Sequence, residues 1–346
     1  MLVYFGSCEL PSEMRVYRPC PKDHALQSPF AVQHNPLKAF SKAINRDNEG
    51  AAVFGVMSFT PAPKQILTTL LPSLRLAAGY ARHIQKKIVA QPAKAGPNPF
   101  STALTDADLS VQTFVEVALL GSFPNVRFYG EEFEQSYNTK YFRAIDLGPA
   151  DDYLVTLDPI DGTRFYMDGF PNYQIILTVL NADGFEAVIA LSPSEDQYFY
   201  ALRGQGTCVG QLAQDLEDCA PLSLSPHQTI LLGTRMAPLK TKLSDRYSVI
   251  SVSEDYSTEQ RISNVNGVLK GELGGVILAA GKFIDGAALA FLAQEAGCIV
   301  TDHQGQPLPR LDACEGYAWP GLVIATSPAM HRDLLQALEG FQMASV

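Results

Sequence analysis

The sequence predicts a layered α+β fold, and three features predict it. An amphipathic helix pattern opens the regular part of the chain. Short strand patterns separated by turn residues fill the middle. Helix and strand then alternate over the last third. The first helix is predicted from about Pro63 to Val89, because Leu67, Leu70, Leu71, Leu74, Ala77, Ala78, Ala81, Ile84 and Ile88 recur three and four apart. Pro72 inside it predicts a kink or a later start, since proline has no N–H to donate. A proline- and glycine-rich loop, Pro92 to Pro99, follows and carries Lys94. The second helix opens at Thr105-Asp106-Ala107-Asp108 and runs to about Gly121. Thr105 suits the N-cap, with a carboxylate three positions later.

Strands are predicted at Val126–Tyr129, Tyr153–Leu157, Gln174–Leu180, Phe185–Ala190 and Gln197–Leu202, bounded by turn signals such as Asn181-Ala182-Asp183-Gly184. Two more follow at Thr229–Leu232 and Tyr247–Val252. The end of the chain reads as helical patterns near 267–280 and 286–296, strands near Cys298–Thr301 and Leu322–Ala325, and a last helix from Pro328 to Phe341.

Residues 1–56 differ from the rest. They carry Pro11, Pro19, Pro21, Pro29 and Pro36 and no sustained apolar period. They are expected to be a disordered N-terminal extension, or to precede a natural start at Met57; an ordered arm is the alternative. The remainder is expected to divide into an N-terminal α/β part, 57–205, carrying most of the acidic motifs, and a C-terminal α/β part, 206–346, completing the site.

Composition narrows the function. Of 346 residues, 47% are hydrophobic and 18% charged, enough for a large core. The net charge of −10 argues against a nucleic-acid polymer as partner, because phosphate backbones call for clustered positive charge. A small phosphorylated substrate stays compatible, provided a bound cation supplies the charge locally. Apolar stretches such as Gly274 to Gly281 fall far short of the roughly 20 residues of a membrane span, so no membrane partner is expected. The six cysteines form no C-x-x-C pair, which points to a reducing compartment, the cytoplasm. The six histidines form no zinc motif, so a metal here would be a hard cation held by carboxylates.

The most informative segment is Asp158-Pro159-Ile160-Asp161-Gly162-Thr163, directly after the apolar Val155-Thr156-Leu157. An apolar strand ends in an acid, proline is expected to stop the ladder, and a second acid follows three positions on. Two carboxylates and a backbone carbonyl then surround one point, a donor set that suits magnesium, and the amides of Gly162 and Thr163 are free to face an anion. Upstream, Gly130-Glu131-Glu132 ends the strand that begins at Val126. Alone, such a pair reads as a solvated turn. Beside the Asp158 motif, it reads as acids that repel one another unless a cation neutralises them.

In these motifs the chain resembles the inositol monophosphatase family, magnesium-dependent, lithium-sensitive phosphatases whose superfamily includes fructose-1,6-bisphosphatase and the 3′-phosphoadenosine phosphatases. G-E-E and D-P-I-D-G-T stand intact and in order, and the resemblance covers about residues 60 to 340. It implies an αβαβα sandwich, a small phosphorylated substrate, two or three Mg²⁺ ions and a homodimer. Residue by residue, it implies that Glu131, Asp158, the Ile160 carbonyl and Asp161 bind metal, and that the Gly162 and Thr163 amides cradle phosphate. It also pairs the Thr163 hydroxyl with an aspartate, matched here by Asp108, to orient the attacking water. An acid in the first turn of a helix is also what the helix dipole favours, so Asp108 carries both readings. The family's W-D-x-A-A is matched by Ile284-Asp285-Gly286-Ala287-Ala288, with isoleucine in place of tryptophan. Glu295-Ala296-Gly297 supports that register, which makes Asp285 a further metal carboxylate and, compatibly, a helix N-cap. A competing register rests on Leu278-Ala279-Ala280-Gly281-Lys282, and where the family places an acid that meets the inositol ring this chain has Leu278. Glu132 and Lys94 are further candidates. Asn266-Gly267-Val268-Leu269-Lys270 and Thr234-Arg235 are weakly similar to the phosphoadenosine-phosphatase branch. The expected activity is hydrolysis of an inositol monophosphate or a related sugar or polyol phosphate by water, without a protein nucleophile. Fructose-1,6-bisphosphate, histidinol phosphate and a 3′-phosphonucleotide are the alternative substrates, and a non-enzymatic binding descendant is the third reading.

Overall fold

The computed structural model describes residues 60–87, 105–132 and 152–342, which lie within one unit, Ser58–Val346. Helix α1, Pro63–Ile84, begins with proline at a first-turn position and buries Ile66, Leu67, Leu70, Leu71, Leu74, Ala77, Ala78 and Ala81. It is unbroken across Pro72, so the later start is corrected. Its neighbour α2, Asp106–Ser122, starts on the Thr105 cap. Both pack on one face of a seven-stranded sheet whose strands neighbour one another in chain order. These are β1 (Arg127–Gly130), β2 (Leu154–Asp161), β3 (Gln174–Leu180), β4 (Phe185–Ser192), β5 (Gln197–Leu202), β6 (Thr207–Gln211) and β7 (Ala220–Pro221). β1 runs parallel to β2, and the other neighbours are antiparallel.

Period-2 alternation sends the central strands into two cores. Val155, Leu157, Ile175, Leu177 and Val179 face α1 and α2, whereas Leu154, Ile176 and Leu180 face the opposite side. With both faces covered, β3 is a continuous buried run. The short helix α3, Thr163–Met167, follows β2 directly.

A second sheet orders five strands as Ile299–Thr301, Leu322–Ala325, Gly275–Leu278, Thr229–Leu232 and Ser248–Ser251. It comprises β8 (Thr229–Leu232), β9 (Ser248–Ser251), β10 (Gly275–Leu278), β12 (Ile299–Thr301) and β14 (Leu322–Ala325), while β11 (Gly281–Lys282) pairs with β13 (Ala318–Trp319). Helix α4, Gly286–Glu295, shares a core with the second face of the large sheet and the inner face of the small one. The small sheet's outer face packs against α5, Pro328–Leu338. The order of layers is therefore helix, sheet, helix, sheet, helix, as the resemblance implies.

Two further expectations are corrected. The helical pattern near 267–280 is a 3-10 turn, Val265–Val268, followed by β10. Glycines bound this apolar run, which is too short to hold a helical period. Proline also does not end β2. Pairing resumes after it, Asp158 opposite Ile176 and Asp161 opposite Gln174, so three steps along β2 match two along β3. The additional residue is a β-bulge at Pro159-Ile160. The predicted end of the first helix at Val89, the loop carrying Lys94, and residues 1–56 lie outside the described residues.

Candidate active site

The candidate residues come from the ends of separate elements. β1 ends at Gly130, and the Glu131 amide donates to the Leu157 carbonyl at 3.1 Å, fastening the Glu131-Glu132 turn beside β2. A Cβ at Gly130 would lie 2.3 Å from the Gln112 side-chain amide, displacing it from the Glu132 amide that its Oε1 accepts at 2.9 Å. β2 delivers Asp158 and Asp161 on either side of its bulge. Asp285 caps α4, its Oδ1 accepting from the Gly286 amide.

These acids act on one another. Burial drives the Asp158 carboxyl well above the ordinary carboxylate range, and the charges of Glu131, Asp161, Asp285 and Glu132 raise it further. Burial also lifts Asp161 to about 6, against the hydrogen bond from Gln174. Asp285 is lifted to about 7 by burial, eased by Lys282, whose ammonium stands 3.9 Å from it. Among the described residues no three acid, imidazole or thiol side chains stand already gathered as a metal shell. The acids meet through their fields instead.

Each of the three aspartates has one oxygen tied to the chain. Asp158 Oδ1 accepts the Ile160 amide at 3.1 Å. Asp161 Oδ2 accepts Gln174 Nε2 at 2.8 Å and Asn264 Nδ2 at 3.2 Å. Asp285 Oδ1 is held by its own helix start. The second oxygen of Asp158 and of Asp161 takes no hydrogen bond from the described residues, and that of Asp285 lies 3.9 Å from the Lys282 ammonium.

Asp108 lies at the third position of α2 and is fully buried. Its Oδ2 accepts from the Thr105 amide at 2.8 Å and the Thr105 hydroxyl at 2.5 Å, while the Thr105 oxygen takes the Ala107 amide. Its Oδ1 stands 3.2 Å from the Thr163 hydroxyl, which also reaches the Ile160 carbonyl at 2.9 Å. The helix-start and dyad geometries thus use different oxygens of one carboxylate. Burial raises Asp108 to about 6, with the Thr105 hydrogen bonds opposing.

Gly162 joins β2 to α3 at φ +84°, in the left-handed region. A Cβ there would meet Phe165, the Asn172 carbonyl and Asn264 Nδ2 at 3.2–3.3 Å. Gly162→Ala is expected to cost roughly 1–3 kcal/mol, the left-handed penalty plus crowding, read as a lower midpoint in urea at unchanged slope. An unchanged midpoint would show that the turn relaxes.

Comparison with known proteins bears on this arrangement. The model of the inositol monophosphatase family matches residues 72–342. The chain belongs to the inositol monophosphatase family. It is accordingly a phosphoric monoester hydrolase. The probable inositol 1-monophosphatase ImpA of Mycobacterium tuberculosis is 29% identical over 245 residues, spanning 68% of this chain and 81% of its own length. A putative Nus factor SuhB of Neisseria meningitidis is 24% identical over 256 residues, 71% of this chain and 87% of that protein. Among solved structures, an IMPase/NADP phosphatase complexed with Mg²⁺ and phosphate superposes with a TM-score of 0.59 at 20% identity. It covers 81% of this chain and 97% of that one, and it shares the fold.

Behind the acids of this site stands an amide network that sequence reasoning missed. Gln174 and Asn264 donate to Asp161, Asn266 donates to Gln174 behind it, and Gln174 and Asn266 are buried. The available signal was Gln174 itself, a polar residue opening the apolar run Ile175-Ile176-Leu177. No described helix is long and apolar enough to cross a membrane.

Proposed function

We propose that this chain hydrolyses a small phosphate monoester, an inositol monophosphate or a related sugar or polyol phosphate, with two or three Mg²⁺ ions as cofactor. The observation that carries the reading is the mutual elevation of Asp158, Asp161 and Asp285, with Glu131 adding to each. Acids that resist joint ionisation are stabilised by a hard cation, and an all-oxygen donor set suits magnesium. Glu131, Asp158, Asp161 and Asp285 would hold it, with the Ile160 carbonyl, whose oxygen has lone-pair capacity beyond the Thr163 hydroxyl. The related structure complexed with Mg²⁺ and phosphate supports this choice of ion. When bound, magnesium neutralises phosphoryl oxygens and lowers the pKa of water.

The chain's own groups do the rest. Gly162 lets the backbone approach phosphate, and the Gly162 and Thr163 amides face it. The Thr163 hydroxyl orients the attacking water and passes its proton to Asp108 Oδ1. A base raised to about 6 sits near the pH at which it would work.

The test is release of inorganic phosphate by the full chain from inositol 1-phosphate, fructose 1,6-bisphosphate, histidinol phosphate and 3′-phosphoadenosine 5′-phosphate, with and without Mg²⁺ and with added Li⁺. Magnesium-dependent, lithium-inhibited turnover of the inositol ester is expected to exceed that of the other three. Preference for another ester would replace the substrate, and release without a divalent cation would overturn the metal assignment.

A further inference from the structure

Gln174 is the first residue of β3 and lies directly opposite Asp161 across the ladder, just past the bulge. It is fully buried, and both ends of its amide are engaged. Nε2 donates to Asp161 Oδ2 at 2.8 Å, and Oε1 accepts Asn266 Nδ2 at 3.2 Å. A carboxylate can only accept, so Asp161 fixes which end of the Gln174 amide faces it, and Asn266 answers the other end. Asn266 belongs to the 3-10 turn Val265–Val268 and is itself buried. Asn264, capping that turn through its Oδ1, adds a second donor to Asp161 Oδ2 at 3.2 Å. Two amide donors therefore converge on the same oxygen, Oδ2. The rotation of the carboxylate is set, and Oδ1 is the oxygen these amides leave unengaged.

We infer that Gln174, backed by Asn266, is a positioning residue that sets cation selectivity by making Asp161 a one-oxygen ligand. The inference rests on the magnesium reading above. Mg²⁺ demands a near-octahedral shell and takes carboxylates through single oxygens together with water, whereas Ca²⁺ accepts six to eight ligands and carboxylates through both oxygens. A clamp that withholds Oδ2 favours the smaller ion. Releasing it frees the carboxylate to turn and offer both oxygens, which suits Ca²⁺. Asn266 makes no hydrogen bond to Asp161 in this network and acts through the amide of Gln174.

The test is calorimetric titration of the full chain, treated with EDTA and dialysed, with MgCl₂ and separately with CaCl₂. The wild type is compared with Gln174→Met, which keeps the side-chain length and loses both hydrogen bonds. The Mg²⁺ dissociation constant is expected to rise about 5–10-fold in Gln174→Met while that for Ca²⁺ holds or falls, so that the ratio of the two shifts about tenfold. Asn266→Ala is expected to shift the ratio in the same direction by a smaller factor, and to add little in the double variant. Equal shifts for both ions, or none, would make Gln174 a packing residue and overturn the inference. Should Gln174→Met fail to fold, Asn264→Ala decides. This half-buried site removes one donor from the same oxygen, and an unmoved Mg²⁺ to Ca²⁺ ratio there also overturns it. A wild-type chain that binds neither cation overturns the magnesium reading, and the inference with it. Binding by the wild type with an unmoved ratio in the variants overturns the inference alone.

Discussion

Asp108→Asn is expected to lower kcat by about 10²–10⁴-fold, the usual scale for loss of a general base. The substitution keeps the size of the side chain and an oxygen for the Thr105 amide, so α2 still starts where it does. It removes the carboxylate proposed to take a proton through the Thr163 hydroxyl, 3.2 Å away. KM and the magnesium requirement are expected to change little, because the acids of β1, β2 and α4 are untouched. Steady-state kinetics at saturating Mg²⁺, with an unfolding curve on the same sample, separate the two roles of this residue. If Asp108 serves only as a helix-start acid, turnover stays at the wild-type value and stability falls by a few tenths of a kcal/mol, the scale of a dipole interaction.

The second large effect is a dependence of stability on pH that a divalent cation removes. Folded Asp108, Asp161 and Asp285 hold their protons to about 6, 6 and 7, against 3.8 when unperturbed. Below about pH 4 both folded and unfolded chains are protonated at these groups, and no stability is lost. As pH rises from about 4 to 7 the unfolded chain ionises first, so stability falls, and the loss is complete once the folded groups ionise. Each pKa unit is worth about 1.4 kcal/mol, so the cluster costs on the order of several kcal/mol at pH 8. A cation bound among the ionised acids offsets that loss. The melting temperature of EDTA-treated protein is therefore expected to fall by roughly 10 °C between pH 5 and pH 8, and Mg²⁺ to restore most of it at pH 8 and little at pH 5. Asp285→Asn should flatten the metal-free profile. A metal-free melting temperature that rises over this interval would contradict the expectation outright.

Much of this fold is legible in the sequence. Gln174–Leu180, Gln197–Leu202, Thr229–Leu232 and Leu322–Ala325 stand where the pattern placed them. Each is an apolar run bounded by turn residues, and burial on both faces leaves no competing period. Gly275–Leu278 was misread because a four-residue apolar run carries neither period clearly, and only pairing with β8 and β14 decides it. Thr207–Gln211 escaped notice because its mixed composition hides a strand that pairs with β5 on one side and β7 on the other. The five-layer order came from the resemblance, since periodicity says nothing of which sheet face meets which helix. In the site, Asp158 and Asp161 were conspicuous as acids among apolar neighbours. The amides behind Asp161 were not, because Gln174 and Asn266 lie 92 positions apart and are related only by packing.

The bulge in β2 has a consequence for how such a site can arise. Side chains alternate along a strand, so acids three positions apart point to opposite faces of a regular sheet. In this chain one surplus residue absorbs the odd step, and Asp158 and Asp161 stand opposite Ile176 and Gln174, two apart on β3 and therefore on one face. Point substitutions within an even ladder cannot place acids at this spacing on the same face; that takes the insertion of one residue. Deleting Ile160 would restore an unbroken ladder with the acids two positions apart and still on one face, but it would remove the Ile160 carbonyl that accepts the Thr163 hydroxyl. The irregularity therefore bears on the carbonyl set between the two acids rather than on which face the acids share.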